Sequence, residues 1–209
     1  MTIITLCFGD SLQLCSMNIH QFPIARSFSY ADYFAFCENL AAQNANSGPK
    51  QTEALANFTK LNISRMKRVF KTFHPEASLF EPLRGKIAAR WIVITESWCG
   101  DAAQSLPVIA RLAELNPEVK LDIVLRDENP ELIDAFLTNG GRSIPKALFV
   151  DDKGEILHHW GPRPKVLQEA FLIEHNAGVP HDQSVLMMQE WYNKDKGLQV
   201  TNEILELIS

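Results

Sequence analysis

One cysteine stands where the chain could present a reactive thiol. Cys99 lies in the segment Trp-Cys-Gly-Asp-Ala (residues 98–102), shortly after an apolar run at residues 91–94. Between residues 106 and 113, apolar side chains recur at steps of three and four, which indicates a helix. A buried strand therefore delivers the Cys99 thiol to the first turn of a helix, where unpaired N–H groups and the helix dipole favour a thiolate.

The same segment lacks the second thiol that disulfide exchange ordinarily uses. A resolving cysteine, which releases the mixed disulfide formed with a substrate, would lie one helical turn after Cys99. That position is Ala102. Asp101 also opposes thiolate formation, because its carboxylate disfavours a second negative charge nearby. The sequence predicts a direction for each effect and no net pKa.

Composition is that of an ordinary globular protein. Of 209 residues, 46% are apolar and 22% charged, and 20 basic against 25 acidic side chains give a net charge of −5. We therefore expect neither nucleic acid nor membrane as a partner, and no apolar run approaches the ~20 residues that span a bilayer. The cysteines show no metal-ligand spacing and no dense disulfide pattern, so we expect reduced thiols, no metal, no cofactor and a cytoplasmic location. These cysteines are Cys7, Cys15, Cys37 and Cys99.

Alternating strands and helices are predicted to position Cys99. We expect strands at residues 87–95, 119–125, 146–150 and 155–160. We expect helices at residues 30–42, 52–72, 100–115, 131–138 and 164–175, and one or two more between residues 183 and 208. The first two strands should be parallel, since a helix crosses between them, and the last two should form a hairpin. The result is an α/β protein with a mixed sheet between layers of helices.

The chain divides into four predicted parts. Residues 1–28 form a tail that we expect to be loose, with no signal peptide and with a start at Met17 as the alternative. Residues 29–85 form a helical N-terminal extension, residues 86–176 the α/β domain and residues 177–209 a helical C-terminal extension. The extensions could present a partner surface, but their apolar stripes favour covering the sheet. A basic face on the helix at residues 52–72 could bind an anion, although a solvated helix face is the expectation.

These motifs, in this order and at this spacing, resemble the thioredoxin fold. Residues 98–102 resemble the thioredoxin Trp-Cys-Gly-Pro-Cys motif, and Pro107 stands where thioredoxins kink the active-site helix. Residues 140–145 (Gly-Gly-Arg-Ser-Ile-Pro) resemble the segment that carries the family's cis-proline. The resemblance implies a three-layer fold with a four- to five-stranded sheet. The helical extensions are similar to those of a bacterial thioredoxin-like family, so we expect a bacterial, monothiol member.

The resemblance also implies a site built around Cys99 as the catalytic residue. A cis bond before Pro145 would turn the backbone groups of Ile144 toward the thiol, where an extended peptide could pair as a short added strand. Gly161 would supply a third wall, and Trp98 would cover the groove, with a packing role as its alternative. The expected substrate-binding residues are Trp98, Gly100, Asp101, Ile144, Pro145 and Gly161.

Three positions near the site depart from thioredoxins or need a separate interpretation. Val93 occupies the position, six before Cys99, where thioredoxins carry a buried carboxylate beneath the resolving thiol. Glu96 could play a related part, but we expect it to face solvent at the end of its strand. Lys146 replaces the threonine that often follows the cis-proline, and it either faces outward on a sheet edge or contacts an acidic partner.

Two functions of different classes follow from these residues. In the first, Cys99 forms mixed disulfides with a protein or small-molecule thiol or disulfide and an external thiol releases them, which requires a Cys99 pKa below that of a free thiol. In the second, the protein is a non-catalytic binding module for a peptide or protein partner, as the missing thiol and Val93 favour. Iron–sulfur binding by Cys99 is a third and weaker reading, since Asp101 adds charge beside a thiolate-ligated cluster.

Overall fold

The computed structural model describes residues 17–79 and 89–209. Its helices are α1 (Tyr30–Ala42), α2 (Glu53–Thr72), α3 (Gly100–Glu114), α4 (Pro130–Asp134), α5 (Lys165–Asn176), α6 (His181–Asp195) and α7 (Leu198–Ile208). Its strands are β1 (Arg90–Thr95), β2 (Lys120–Leu125), β3 (Lys146–Val150) and β4 (Ile156–Trp160). The predicted tail at residues 1–16, with Cys7 and Cys15, lies outside the described residues, as do the predicted boundary at residues 85–86 and residues 87 and 88 of the first strand.

The four strands form one mixed sheet in the order β2-β1-β3-β4. β1 runs parallel to β2, with Trp91 opposite Leu121, and antiparallel to β3, with Trp91 opposite Phe149. β3 and β4 form the antiparallel hairpin. This arrangement confirms the predicted α/β class and mixed sheet, with helical extensions at both ends.

The central strand β1 is apolar on both faces, because helices cover both sides of the sheet. Trp91 and Val93 point into a core shared with α1, α2, α3 and α7. Ile92 and Ile94 point into a second core, shared with α4, Ile19 and the Cys99 side chain. Cys99 therefore lies at the end of the sheet, in the smaller of the two layers.

Residues 17–28 cross from one outer strand to the other. The Ile19 amide donates to the Gly154 carbonyl at 2.7 Å, next to β4. At the opposite edge, Phe28 exchanges two backbone hydrogen bonds of 2.8 Å with Ile123 of β2. The side chain of Ile19 is 2% exposed. This described part of the predicted tail is thus held against both edges of the sheet.

The short helix α4 ends sooner than the sequence pattern predicts. We expected a helix at residues 131–138, and the observed helix stops at Asp134. Asn139 and Gly140 adopt positive φ angles of 51° and 77°, which a helix does not allow. Thr138 and Gly141 exchange two backbone hydrogen bonds of 2.9 Å across this turn. The turn leads directly into the segment that faces Cys99.

The C-terminal helices are separated at Lys196 and Gly197, as the glycine predicts. Both residues have positive φ, 55° and 86°. A Cβ atom on Gly197 would lie 2.7 Å from a methyl carbon of Val108, so the glycine also permits close packing on α3. Glu203 of α7 is buried, accepts a 2.7 Å hydrogen bond from Trp160 Nε1 and another from the first amide of α5. The C-terminal extension is thereby attached to β4 and α3.

Candidate functional site

Cys99 is the N-cap residue of α3, immediately before its first residue, and is hydrogen-bonded on two sides. Its Sγ accepts from the Ala102 amide at 3.4 Å and donates to the Ile144 carbonyl oxygen at 3.2 Å. The side chain is 7% exposed. As predicted, the end of β1 places the thiol at the start of a helix and opposite Ile144. A thiol that donates to a carbonyl is in its protonated form.

Burial is the largest effect on the acidity of this thiol. Burial, followed by the charge of the Asp101 carboxylate, raises the pKa of Cys99 to about 12. Hydrogen bonds from the amides of Ala102 and Asp101, and the charge of Arg163, act in the opposite direction but are weaker. The sequence predicted both the helix effect and the Asp101 effect. Burial, which depends on the folded structure and was not predicted from the sequence, is the largest contribution to the pKa of Cys99.

Asp101 has partners that the sequence did not reveal. Its Oδ2 accepts hydrogen bonds from Arg163 at 2.6 and 3.2 Å, and its Oδ1 accepts from the Tyr192 hydroxyl at 2.9 Å. Both side chains of the ion pair are 12% exposed. Burial, then the nearby Asp101 carboxylate, raises the pKa of Tyr192 well above its ordinary value. Asp101 thus joins the start of α3 to α6 and to the loop after β4.

Glu96 is buried rather than solvent-facing, so the prediction for this residue was wrong. It is 1% exposed, and its carboxylate accepts hydrogen bonds from the Ser47 hydroxyl and from the Asp127 amide. Burial raises the pKa of Glu96, and the same two hydrogen bonds partly offset this effect. The loop before α2 folds over the end of β1 and supplies Ser47, which is why this carboxylate is covered. Glu96 fastens that loop to the strand.

Ile144 and Pro145 lie opposite the thiol, and the peptide bond between them is cis. Ile144 is buried and contributes its carbonyl to Cys99. Gly161 has a φ of 107° and packs so closely on Pro145 that a Cβ atom would overlap the Pro145 carbonyl oxygen. Pro145 and Gly161 therefore form a layer beneath Ile144.

Lys146 is buried inside the chain, which corrects both predicted alternatives. β3 lies between β1 and β4, so Lys146 is not on a sheet edge. It is 2% exposed, and its Nζ donates to Thr138 Oγ1 at 2.7 Å and to the Gly161 carbonyl at 3.0 Å. Burial lowers the pKa of Lys146 from 10.5 to about 8. The lysine joins the turn after α4 to the loop after β4, beneath Ile144.

Lys146→Met should change how stability depends on pH. In the wild type, unfolding takes up a proton between the folded pKa of about 8 and the unfolded value of 10.5, so this residue's contribution to stability rises with pH across that window. The free energy of unfolding of wild type minus that of Lys146→Met should rise by about 1–2 kcal/mol from pH 7.5 to 10.5, allowing for water near the ammonium group. Urea unfolding at both pH values measures the difference. Lys153→Met, at an exposed lysine of the β3–β4 turn, should show a constant difference, and a constant difference for Lys146→Met as well would contradict the assignment.

Helices from both extensions convert the expected open groove into a pocket. The pocket has a volume of about 570 Å³, which is within the ~300–1,000 Å³ typical of small-molecule sites. Of the predicted substrate-binding residues, Trp98, Gly100, Asp101 and Ile144 line it with Cys99, whereas Pro145 and Gly161 do not. A larger cavity of about 840 Å³ lies between α1 and β2 and has no cysteine in its lining. We take the smaller one as the candidate site because it contains the Cys99 thiol.

Trp98 fills both roles that the sequence left open. It lines the pocket, and the Arg126 guanidinium lies 4.9 Å from the centre of its ring. A Cβ on Gly48 would lie 3.3 Å from its Nε1, so the loop before α2 also packs on the indole. The ring is half-buried between solvent and this loop.

The remaining pocket residues come from segments distant in sequence, and our sequence interpretation missed most of them. They are Leu55, Phe58 and Arg65 of α2, Gln104 of α3, the loop residues Arg126, Arg142, Ser143 and Arg163, and His181, Val185, Met188, Gln189 and Tyr192 of α6. The sequence contained a signal for Arg65, through the basic face on α2, and for Arg142 and Ser143, through the segment that resembles the cis-proline motif. Apolar residues of a helix that lines a pocket and of one that covers a core share the same periodicity, so the pattern alone does not separate them.

Within residues 17–79 and 89–209, no three His, Cys, Asp or Glu side chains are grouped so that they could hold a metal ion. In the same ranges, none of the helices combines the length and the apolar character needed to cross a membrane.

A model of the thioredoxin family matches residues 48–179, more than half of the chain. The chain therefore belongs to the thioredoxin family. The match begins before α2, so this helix of the N-terminal extension is part of the matched region together with the sheet. No curated protein matches the sequence.

Two solved structures are similar in fold. A crystal structure of a protein of unknown function from Pseudomonas aeruginosa covers 87% of this chain and 97% of its own, with 18% identity and a TM-score of 0.51. A crystal structure of an HIV epitope scaffold covers 87% of this chain and 98% of its own, with 18% identity and a TM-score of 0.50. At this identity the similarity extends to the fold alone.

Proposed function

We propose that this protein is a binding member of the thioredoxin family, which holds its ligand by non-covalent contacts in the pocket above Cys99. The observation that carries the proposal is the state of the thiol. Cys99 is buried, donates a hydrogen bond to the Ile144 carbonyl oxygen and lies near the Asp101 carboxylate, which raises its pKa. A nucleophilic cysteine must instead be a thiolate near neutral pH.

The position after the thiol and the shape of the site support the same proposal. Ala102, where a resolving cysteine would stand, is 2% exposed and packs in the core with Cys99. α2 and α6 enclose the site on two sides, which suits a compact ligand better than an extended peptide. In this proposal the site that thioredoxins use for exchange is a binding cavity, and the Cys99 side chain is part of its lining.

Alkylation of Cys99 as a function of pH tests the proposal. In a variant with Cys7→Ser, Cys15→Ser and Cys37→Ala, Cys99 is the only thiol, and its rate with iodoacetamide should still rise above pH 10, since its pKa is about 12. The same variant in concentrated urea is the control, and its rate should be half-maximal near the ordinary cysteine pKa of ~8.5. A half-maximal rate at or below about pH 8.5 in the folded protein would contradict the binding proposal.

Monothiol exchange is the second candidate, because Cys99 Sγ lines the pocket and accepts a hydrogen bond from the helix amide of Ala102. In that reaction the thiolate attacks one sulfur of a substrate disulfide, expels the other sulfur as a thiolate and forms a mixed disulfide. An external thiolate then attacks the substrate sulfur and regenerates the Cys99 thiolate. The alkylation profile distinguishes the candidates, since exchange requires that the rate be half-maximal at a low pH, at or below the pKa of a free thiol.

A further inference from the structure

The pocket above Cys99 is lined by more positive than negative side chains. Its carboxylate is that of Asp101, and its arginines are Arg65, Arg126, Arg142 and Arg163. This balance is opposite in sign to the net charge of the chain, which is −5. The partners of each arginine decide whether this charge is available to a ligand.

Three of the four arginines are paired with carboxylates of the chain. The pairs are Arg126 with Asp127 at 2.7 Å, Arg142 with Asp134 at 2.6 Å and Arg163 with Asp101 at 2.6 Å. Their charges are neutralised within the protein, and each guanidinium has part of its donor set occupied. These three residues shape the pocket without leaving a net charge there.

Arg65 differs from the other three. Among the described residues, no carboxylate forms an ion pair with it, and its Nη1 donates instead to Asn62 Oδ1 at 3.0 Å. Asn62 is 1% exposed and donates to the Ser97 carbonyl at 3.0 Å, so it holds Arg65 in place from α2. Burial, followed by the charge of Arg68, lowers the pKa of Arg65. The guanidinium is therefore positioned in advance. Among the described residues it has no ion pair, and the Asp101 carboxylate, which raises its pKa, acts on it without one.

The position of Arg65 brings its charge to the start of α3. A Cβ atom on Gly100, the first residue of α3, would lie 3.5 Å from Arg65 Nη1. The positive end of the helix dipole and the guanidinium thus face the same corner of the pocket. An oxyanion in this corner would be stabilised by charge-assisted hydrogen bonds.

Apolar side chains from two helices also line the pocket, among polar ones. α2 contributes Leu55 and Phe58, and α6 contributes Val185 and Met188. Phe58 is 41% exposed, which is high for a phenylalanine and places its ring at the rim. The site therefore combines a charged corner at Arg65 with apolar surface from α2 and α6.

We propose that the ligand of this pocket is a small organic anion, with its oxyanion group against Arg65 and its apolar part against Phe58 and Met188. The inference rests on the proposed function, because it names the ligand class for the same pocket. Carboxylates and phosphates share this chemistry. Cys99, at the floor, contacts the ligand without reacting with it.

Chemical-shift titration with three small probes tests the inference. The probes are 4-phenylbutyrate, phenyl phosphate and the uncharged 4-phenylbutan-1-ol, and the signals to follow are the Gly100 amide and the Trp98 indole N–H. We expect an acid to bind at the pocket and the alcohol to bind at least about tenfold more weakly than 4-phenylbutyrate. Comparison of the two acids distinguishes a carboxylate from a phosphate ligand.

Substitutions on α2 locate the charge. Arg65→Gln should weaken binding of the acid about tenfold or more, and Arg65→Lys should restore part of the loss because it keeps the charge. Lys67→Gln, at an exposed position of the same helix outside this pocket, is the matched control and should leave binding unchanged. The dispersion of each amide spectrum shows whether the variant has folded.

The outcomes separate the inference from the function on which it rests. Equal binding of acid and alcohol, or an Arg65→Gln variant that folds and binds the acid normally, would overturn the anion inference while leaving the pocket a binding site. If none of the three probes shifts the Gly100 or Trp98 signals, both the inference and the binding function fail.

Discussion

Asp101→Asn should make the Cys99 thiol more acidic. The Asp101 carboxylate raises the pKa of Cys99, and the charge of Arg163 lowers it. The substitution removes the first effect and leaves the second without compensation. We expect the pKa of Cys99 to fall from about 12 by at least about one pH unit, because a single nearby charge commonly shifts a pKa by ~1–3. Alkylation of Cys99 at pH 9 should then be about tenfold faster than in the parent protein.

The same substitution should also cost a large part of the protein's stability. Arg163 loses its carboxylate partner in a site where both side chains are 12% exposed. Asp101 accepts hydrogen bonds at both carboxylate oxygens, from Arg163 and from the Tyr192 hydroxyl. The asparagine has one oxygen and one N–H₂ group, so one of these two hydrogen bonds loses its acceptor. We expect the free energy of unfolding to fall by about 2–4 kcal/mol, which urea unfolding measures.

Asp134→Asn is the matched control for both measurements. Asp134 also holds an arginine with two hydrogen bonds of 2.6 Å, but this pair with Arg142 is about half exposed on each side. Its loss should change stability little and leave the alkylation of Cys99 as it was. An Asp101→Asn protein with an unchanged Cys99 rate would show that burial alone suppresses the thiol and that Asp101 has no part in it.

Gly161→Ala should be the most damaging single methyl addition near the site. The φ of 107° is strained for alanine, and the new Cβ would overlap the Pro145 carbonyl oxygen. Neither atom can yield by rotation of a side chain, since one is backbone and the other is attached to it. The Gly161 carbonyl, which accepts from Lys146, would move with it. We expect a loss of about 3–5 kcal/mol in the free energy of unfolding, from backbone strain and overpacking together.

Gly178→Ala is the control that separates the cost of backbone strain at positive φ from the cost of the steric overlap expected in Gly161→Ala. Gly178 follows α5 with a φ of 73°, and a Cβ there would meet no atom within 4 Å. Its substitution should cost only about 1 kcal/mol, the ordinary penalty for a side chain at positive φ. Urea unfolding of the two variants in parallel measures the difference. Equal losses for both would mean that the contact between Gly161 and Pro145 is looser in solution and that Ile144 has no firm layer beneath it.

These two variants test different halves of the site. Asp101 concerns the chemistry of the thiol, because its charge opposes a thiolate. Gly161 concerns the support of Ile144, whose carbonyl oxygen accepts the hydrogen bond of the thiol. If Asp101→Asn activates Cys99 while the folded protein binds its probe as before, the carboxylate will have been a restraint on reactivity within an intact binding pocket.

Local sequence determined the elements and the position of Cys99 among them. Elements that depend on neighbouring residues could be predicted from the sequence. They include the apolar run of β1, the periodicity of α3 and the turn between β3 and β4. The same holds for the absence of a thiol at residue 102. The resemblance of residues 98–102 and 140–145 to thioredoxin motifs extended this to the fold and to the pairing of Cys99 with Ile144.

Tertiary structure alone decided what surrounds the thiol. Asp101 and Tyr192 are separated by 91 residues, and Glu96 and Ser47 by 49. No local pattern predicts such a contact, because in the sequence each of these side chains is indistinguishable from an ordinary polar residue of its own segment. Lys146 appeared to belong to a surface for the same reason.

The sequence by itself thus determined a thioredoxin fold that presents one cysteine at the start of a helix. Only the folded chain decided that this cysteine is buried, and that α2 and α6 enclose it together with Arg65, which forms no ion pair among the described residues. The physical reason is that desolvation and charge pairing depend on which distant segments meet, and they set the pKa of Cys99 more strongly than the helix on which it stands.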